Sequence, residues 1–271
     1  MLMRETVLYY HIYLSDDYAN WSSIFMEQMK LTEDTGLKNQ FDRYEISFIT
    51  QEDQRIDIFV GLCKMLNKPV NLIGHKNPYA NDIEMINNVN TPKTASETKA
   101  IAKIWEDAKT KDMDILYLHS KGITAVKNAL ERGNVDLYKK YHYWRQYMNW
   151  GVIENWNLCL NALQYDDVSG VGFLTKPAKH FCGNFWWTKS EHLRTLPNPT
   201  DNVWWNNLKE SSDNVWLKTA ADRFRDELWV CSRPDVKIFS VHNFEEKESP
   251  LAFPMTKDKY FGKQNLFWHP V

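Results

Sequence analysis

Residues 6–14 read TVLYYHIYL, a β-branched and aromatic run that predicts a strand, closed by the polar Ser15, Asp16 and Asp17. Trp21, Ile24, Phe25 and Met29 then recur at helical spacing until Gly36 stops the segment. Residues 44–50 predict a second strand, 56–66 a second helix ended by Asn67 and Pro69, and 70–74 a third strand. The Asn- and Pro-rich run 75–92 predicts a long loop, of a length that is usually functional or mobile. Thr94 and Glu97 have the spacing of a capping box before Ile101, Ile104, Trp105 and Ala108, which form one apolar helical stripe. Residues 115–118 are a short apolar run of the kind that fills a strand buried on both faces.

Strand and helix alternate through this half, which predicts an α/β sheet of the nucleotide-binding type. After Gly133 the pattern changes to long aromatic helices: Leu137, Tyr141, Trp144 and Met148 share one face, and Trp156, Leu160 and Leu163 follow Gly151. Residues 168–173 and 236–241 predict two further strands. No linker is long enough to separate independent domains. The expectation is a single α/β domain over residues 1–271, a Rossmann-like mixed sheet flanked by helices. Its nucleotide-binding half covers about 1–133 and its acceptor half about 134–271.

Composition narrows the class. Of 271 residues, 43% are hydrophobic and 25% charged, the balance of a chain that buries a core. A mean hydropathy of −0.56, with no apolar run near the ~20 residues a bilayer needs, excludes a membrane span. Residues 1–14 contain Arg4, Glu5 and His11 without a small-residue cleavage site, so no secretory signal is expected. Cys63, Cys159, Cys182 and Cys231 are too widely spaced for a zinc or redox pair, which fits a reducing, cytoplasmic compartment. A net charge of −2 predicts no global pull towards nucleic acid. Between Tyr117 and Arg194, however, ten Lys and Arg stand against six Asp and Glu, which predicts a local anion site. Nine of the twelve Trp lie between Trp144 and Trp229, as core filler or as a surface that stacks sugar rings or bases.

Candidate chemistry gathers at predicted strand ends. Residues 114–122 read DILYLHSKG, and open α/β sheets bind ligands at the carboxyl ends of their strands. His119, Ser120 and Lys121 fall there, and an imidazole, a hydroxyl and an ammonium suit anionic oxygens such as those of a diphosphate. Asp112-Met113-Asp114 spells D-x-D, but it precedes the strand and reads as a solvated turn at the other end. His11, Tyr13 and Thr50 end the first two strands on the ligand side, and His75 follows the third; a uracil and its ribose need such groups. Residues 180–187 read HFCGNFWW, in which Gly183 permits close backbone approach and Asn184 supplies donors and an acceptor. At least one of Trp186 and Trp187 is expected in the core, with Trp186 or Trp187 the candidate for a sugar-facing wall. Residues 223–229, RFRDELW, place Asp226 and Glu227 on a helix end, where Glu227 is a candidate general base. His242 follows the last strand as a candidate phosphate or metal contact.

The ordered set HIYL, YLHSKG, Trp144-Arg145, GNFWW and RDELW resembles a group of small viral and bacterial glycosyltransferase-like proteins of the GT-A fold. HIYL with the His-Ser-Lys strand end is also similar to the rhamnan-synthesis glycosyltransferases. The resemblance spans residues 6–242, and YLHSKG and GNFWW are its specific parts. It implies transfer of a sugar from a nucleotide-sugar donor, commonly UDP-linked, to an acceptor hydroxyl on a glycan or protein. By position, it implies that His119 to Lys121 replace the D-x-D acids of metal-dependent relatives, with His119 and Lys121 stabilising the departing diphosphate. It further implies that Gly183 and Asn184 touch the donor sugar and that Glu227 is an acceptor-side carboxylate. No metal ligand is identified, and a need for Mn²⁺ or Mg²⁺ stays open, since Lys121 neutralises a leaving diphosphate without one. The alternatives are a phage-type glycosyltransferase acting on a hydroxymethylated DNA base and a non-catalytic carbohydrate-binding protein.

Overall fold

The computed structural model describes residues 4–15, 18–50, 54–76, 97–120, 131–175, 180–220, 224–242 and 256–268. Strand β1 (Glu5–Leu14) shows what organises it: Leu8, Tyr10, Ile12 and Leu14 enter one core while Val7 and Tyr9 enter another. Period-two alternation with apolar residues on both sides is the signature of a strand covered on both faces. There follow α1 (Tyr18–Asp34), β2 (Arg43–Thr50), α2 (Gln54–Lys64), β3 (Val70–Lys76), α3 (Thr98–Ala108) and β4 (Met113–His119). The second half supplies α4 (Val135–Asn149), a π-helical turn (Trp150–Glu154), α5 (Trp156–Leu163), β5 (Gly170–Thr175) and β6 (His180–Lys189). The short helices α6 (Ser190–Arg194), α7 (Asn202–Ser211), α8 (Val215–Thr219) and α9 (Arg225–Trp229) precede β7 (Ile238–Ser240) and β8 (Phe267–Trp268).

The described strands form one eight-stranded sheet in the order β3-β2-β1-β4-β6-β5-β7-β8. β3, β2, β1 and β4 are parallel, β6 runs antiparallel to both β4 and β5, β7 is parallel to β5, and β8 is antiparallel to β7. The chain passes from β1 outward through β2 and β3, then returns to place β4 on the other side of β1. Strand order therefore reverses between β1 and β4, the switch point of a Rossmann-like sheet. Helices cover both faces of this single domain. Trp21, Phe25, Phe59 and Tyr147, from α1, α2 and α4, pack on one. Ile101, Ile104, Trp205 and Trp229, from α3, α7 and α9, pack on the other. Among the described residues no helix is long and apolar enough to cross a membrane.

Double coverage corrects the expectation for the tryptophan pair. Neighbours on a strand point to opposite faces, and both faces of β6 lie under helices. Trp187 joins the first core, stacked on Phe41 with ring centroids 6.3 Å apart, and Trp186 joins the second, 5.0 Å from Tyr117. Both are fully buried, so neither Trp186 nor Trp187 is a sugar-facing wall. Of the other tryptophans whose side chains are described, Trp105, Trp156 and Trp216 are half-buried and the rest are buried. Gly151 lies in the π-helical turn between α4 and α5, where the Phe173 ring lies against bare backbone: a Cβ on Gly151 would stand 2.0 Å from Cε2 of that ring. Most of the loop expected over 75–92 lies outside the described residues.

Helix α6 brings in a pH dependence. His192 Nε2 donates to the Val230 carbonyl at 2.7 Å, and burial pushes the ring below its ordinary 6.5. The unfolded chain then takes up its proton first as pH falls past 6.5, so this residue withdraws stability on the acid side. The urea midpoint is expected to fall between about pH 7 and about pH 5, and His192→Gln to flatten that fall. An unchanged slope in the variant would show that another group is responsible.

Candidate functional site

β2, β1 and β4 run parallel and in register, so Ser47, His11 and His119 are Cα neighbours in one row across the sheet. All three are buried, and His11 Nδ1 lies 3.2 Å from Ser47 Oγ. One step beyond, the Ser120 amide donates to the His11 carbonyl at 2.9 Å and the Tyr13 amide to Ser120 Oγ at 3.3 Å. Thr50, at the end of β2, pairs with Leu14. His11, Tyr13, Thr50, His119 and Ser120 are thus gathered at the carboxyl edge, around the point where strand order reverses. His75 lies on β3 in register with Ile49, with β2 between it and β1. Lys121 lies outside the described residues.

β6 loses regular pairing at this same edge. Gly172 pairs with Trp186 and Leu174 with Phe181, so residues 182–185 arch out opposite Phe173 alone. Gly183 and Asn184 both adopt left-handed backbone, with φ of 67° and 61°. Glycine takes this conformation freely, and asparagine is among the few other residues that visit it. The arch turns the Gly183 carbonyl towards His119, whose Nε2 is 2.6 Å away. A carbonyl oxygen only accepts, so this nitrogen carries a hydrogen. The other ring nitrogen, Nδ1, lies 3.0 Å from Glu97 Oε1. Glu97 Oε2 accepts from Asn184 Nδ2 at 2.6 Å and from the Tyr117 hydroxyl at 3.3 Å. Asn184 Oδ1 in turn accepts from Trp186 Nε1 at 2.7 Å.

These contacts move two expected ligand groups into the scaffold. Asn184 is fully buried, and its amide is held at one end by Glu97 and at the other by Trp186, which leaves no exposed amide for a donor sugar. His119 gives both ring nitrogens to protein oxygens. Thr94, the other half of the expected capping box, lies outside the described residues; among the described contacts of Glu97, its carboxylate meets β4 and β6. Sequence reading missed Glu97 and Tyr117 as parts of this cluster. The available signal was alternation, which puts Tyr117 and His119 on one face of β4, so that a polar partner must come from the helix covering it.

A second group of acids lies on the α3 face. Thr98 Oγ1 donates to Asp226 Oδ2 at 2.8 Å and accepts from Arg225 at 2.8 Å, which fastens α9 to the start of α3. The adjacent Glu227 is half-buried, its Oε2 4.0 Å from His180 Nε2. The His180 ring lies parallel to that of Trp216, centroids 5.7 Å apart. Burial first, and then the charges of Glu97, Asp226 and Glu227, push the Tyr117 phenol well above its ordinary 10.0. All three carboxylates therefore bear on one phenol beside the strand end. His242 is not brought to this cluster: its Nδ1 lies 2.9 Å from the Tyr147 hydroxyl and its ring meets Trp150 edge-on, within the core of the other face.

Among the described residues no three His, Cys, Asp or Glu are grouped to hold a metal ion. Asp112 and Asp114, at the opposite end of β4, are paired with Arg194 at 2.5 Å and Arg4 at 3.0 Å. A family model described as a domain of unknown function matches residues 9–250. No curated protein matches the chain.

Proposed function

The chain belongs to that family, DUF8361, and from the geometry of its sheet edge we propose that it is a glycosyltransferase. It moves a sugar from a nucleotide-sugar donor, UDP-linked, to an acceptor hydroxyl. One observation carries the proposal: the reversal of strand order between β1 and β4, with His11, Tyr13, Thr50 and Ser120 around it. Rossmann-like sheets bind nucleotides in the crevice at that point. The resemblance of YLHSKG and GNFWW to glycosyltransferase-like proteins supplies the reaction class.

In this reaction the acceptor oxygen bonds to the anomeric carbon as the bond from that carbon to the diphosphate oxygen breaks. His11 and the strand-end backbone hold the nucleotide, and Lys121, next in sequence after Ser120, neutralises the leaving diphosphate. The arch at Gly183 bounds the donor sugar, and Glu227 takes the proton of the attacking hydroxyl. The carbohydrate-binding alternative has less support, because every described tryptophan side chain is buried or half-buried.

A thermal-shift screen against UDP, GDP, dTDP and CMP sugars, with and without Mn²⁺, tests this. A ligand that binds only the native state adds about 2.7 kcal/mol at 100 times its Kd, enough to move the midpoint by several degrees. UDP sugars are expected to raise it, and no shift with any nucleotide sugar would overturn the proposal. Duplex DNA binding that weakens steeply with salt would assign the acceptor to a modified base.

A further inference from the structure

We infer that Glu97 is a positioning residue for this site, acting through His119 and Asn184 on the left-handed arch of β6. What the arch faces rests on the glycosyl-transfer proposal; the brace itself rests on geometry. Glu97 stands at the start of α3, yet both of its oxygens are directed at β4 and β6. One meets His119, which passes the tie to the Gly183 carbonyl through its opposite nitrogen. The other takes the Asn184 amide directly. Two consecutive left-handed residues are thus tied to one carboxylate, by a backbone route and a side-chain route.

The ring that transmits the tie is itself fixed. Tyr117 lies parallel to His119 with centroids 6.3 Å apart, and Phe185 meets it edge-on at 5.4 Å. The contact between Nδ1 and Oε1 requires one hydrogen, whichever atom holds it, and the Nε2 hydrogen points at Gly183. The Tyr117 hydroxyl shares the second carboxylate oxygen with Asn184. Removing the carboxylate therefore slackens both residues of the arch at once. The nucleotide end of the crevice, built on β1 and Ser120, keeps its own hydrogen bonds. Loss of Glu97 thus falls on the alignment of reacting atoms and spares nucleotide binding.

The test uses Glu97→Gln, His119→Gln and the double variant of the full chain, with donor KM, kcat and urea midpoint measured for each. Each single variant is expected to lose about tenfold or more in kcat with donor KM within about twofold, because misplacement by ~1 Å is enough to cost that much. The double variant is expected to be no slower than the slower single one, since the two residues act as a unit. Asn184→Gly keeps the left-handed backbone without strain but removes the side-chain tie and the acceptor of Trp186 Nε1, so its urea midpoint is expected to fall and the folded variant to lose kcat as well. Wild-type kcat in Glu97→Gln, a rise in KM alone, or losses that multiply in the double variant would overturn the inference. If the wild-type protein transfers no sugar from any nucleotide donor, the proposed function fails. The brace is then read from the urea midpoints: a double variant no less stable than the weaker single one supports it, and additive shifts overturn it.

Discussion

Glu227→Gln lowers kcat for sugar transfer by about 10²–10⁴ and leaves donor KM within a few-fold, the range expected when a general base is removed. Helix α9 has attachments other than this side chain. Its Asp226 is bonded to Thr98 on α3, and its Leu228 and Trp229 are buried in the second core. An amide at 227 therefore leaves the helix in place. Glu227 is half-buried, with His180 4.0 Å away on one side and the Tyr117 phenol within its field on the other. The substitution keeps the side chain's size and removes its capacity to take a proton. Initial rates at saturating donor, with the acceptor varied, measure the effect, and an unchanged urea midpoint separates it from unfolding. A variant as fast as wild type would take Glu227 out of the mechanism while leaving the nucleotide site standing.

How much of this was legible in the sequence differs between fold and site. The parallel strands and their helices follow from local periodicity: the run before Ser15, the stripe from Ile101 to Ala108 and the apolar core of β4 lie where the pattern puts them. The gathering of His11, Tyr13, Thr50 and Ser120 follows too, because parallel strands in register bring their carboxyl ends to one edge. Glu97 was hidden by a local motif. A carboxylate spaced like a capping-box acid has a ready partner in its own helix, so nothing local announces that His119, Tyr117 and Asn184 reach it from distant segments. The arch was half visible, since glycine followed by asparagine suits left-handed backbone, but nothing local says that β5 and β6 fall out of step there. The burial of both members of the tryptophan pair was not legible, because it depends on what covers β6, and those helices come from residues far along the chain on both sides.

That burial makes Trp186→Ala the most destabilising substitution expected here. Truncating a buried tryptophan costs about 3–5 kcal/mol from lost transfer free energy and the cavity left behind. Trp186 is fully buried, packs 5.0 Å from the Tyr117 ring, and supplies the hydrogen bond to Asn184 Oδ1. Its loss strands that carbonyl in a site where Asn184 itself is fully buried, at about 1–3 kcal/mol for an unsatisfied acceptor. Against a native stability of about 5–15 kcal/mol for a typical domain, the combined loss takes away much of the margin. Trp186→Phe separates the two contributions, because it keeps an aromatic ring in the core and removes only the indole N–H and some of the volume. The urea midpoint is expected to fall far more in the alanine variant than in the phenylalanine one, with Asn184 loosened in both. If alanine cost less than about 0.5 kcal/mol, the range typical of an exposed position, Trp186 would not be core and a sugar-facing ring would again be the better assignment.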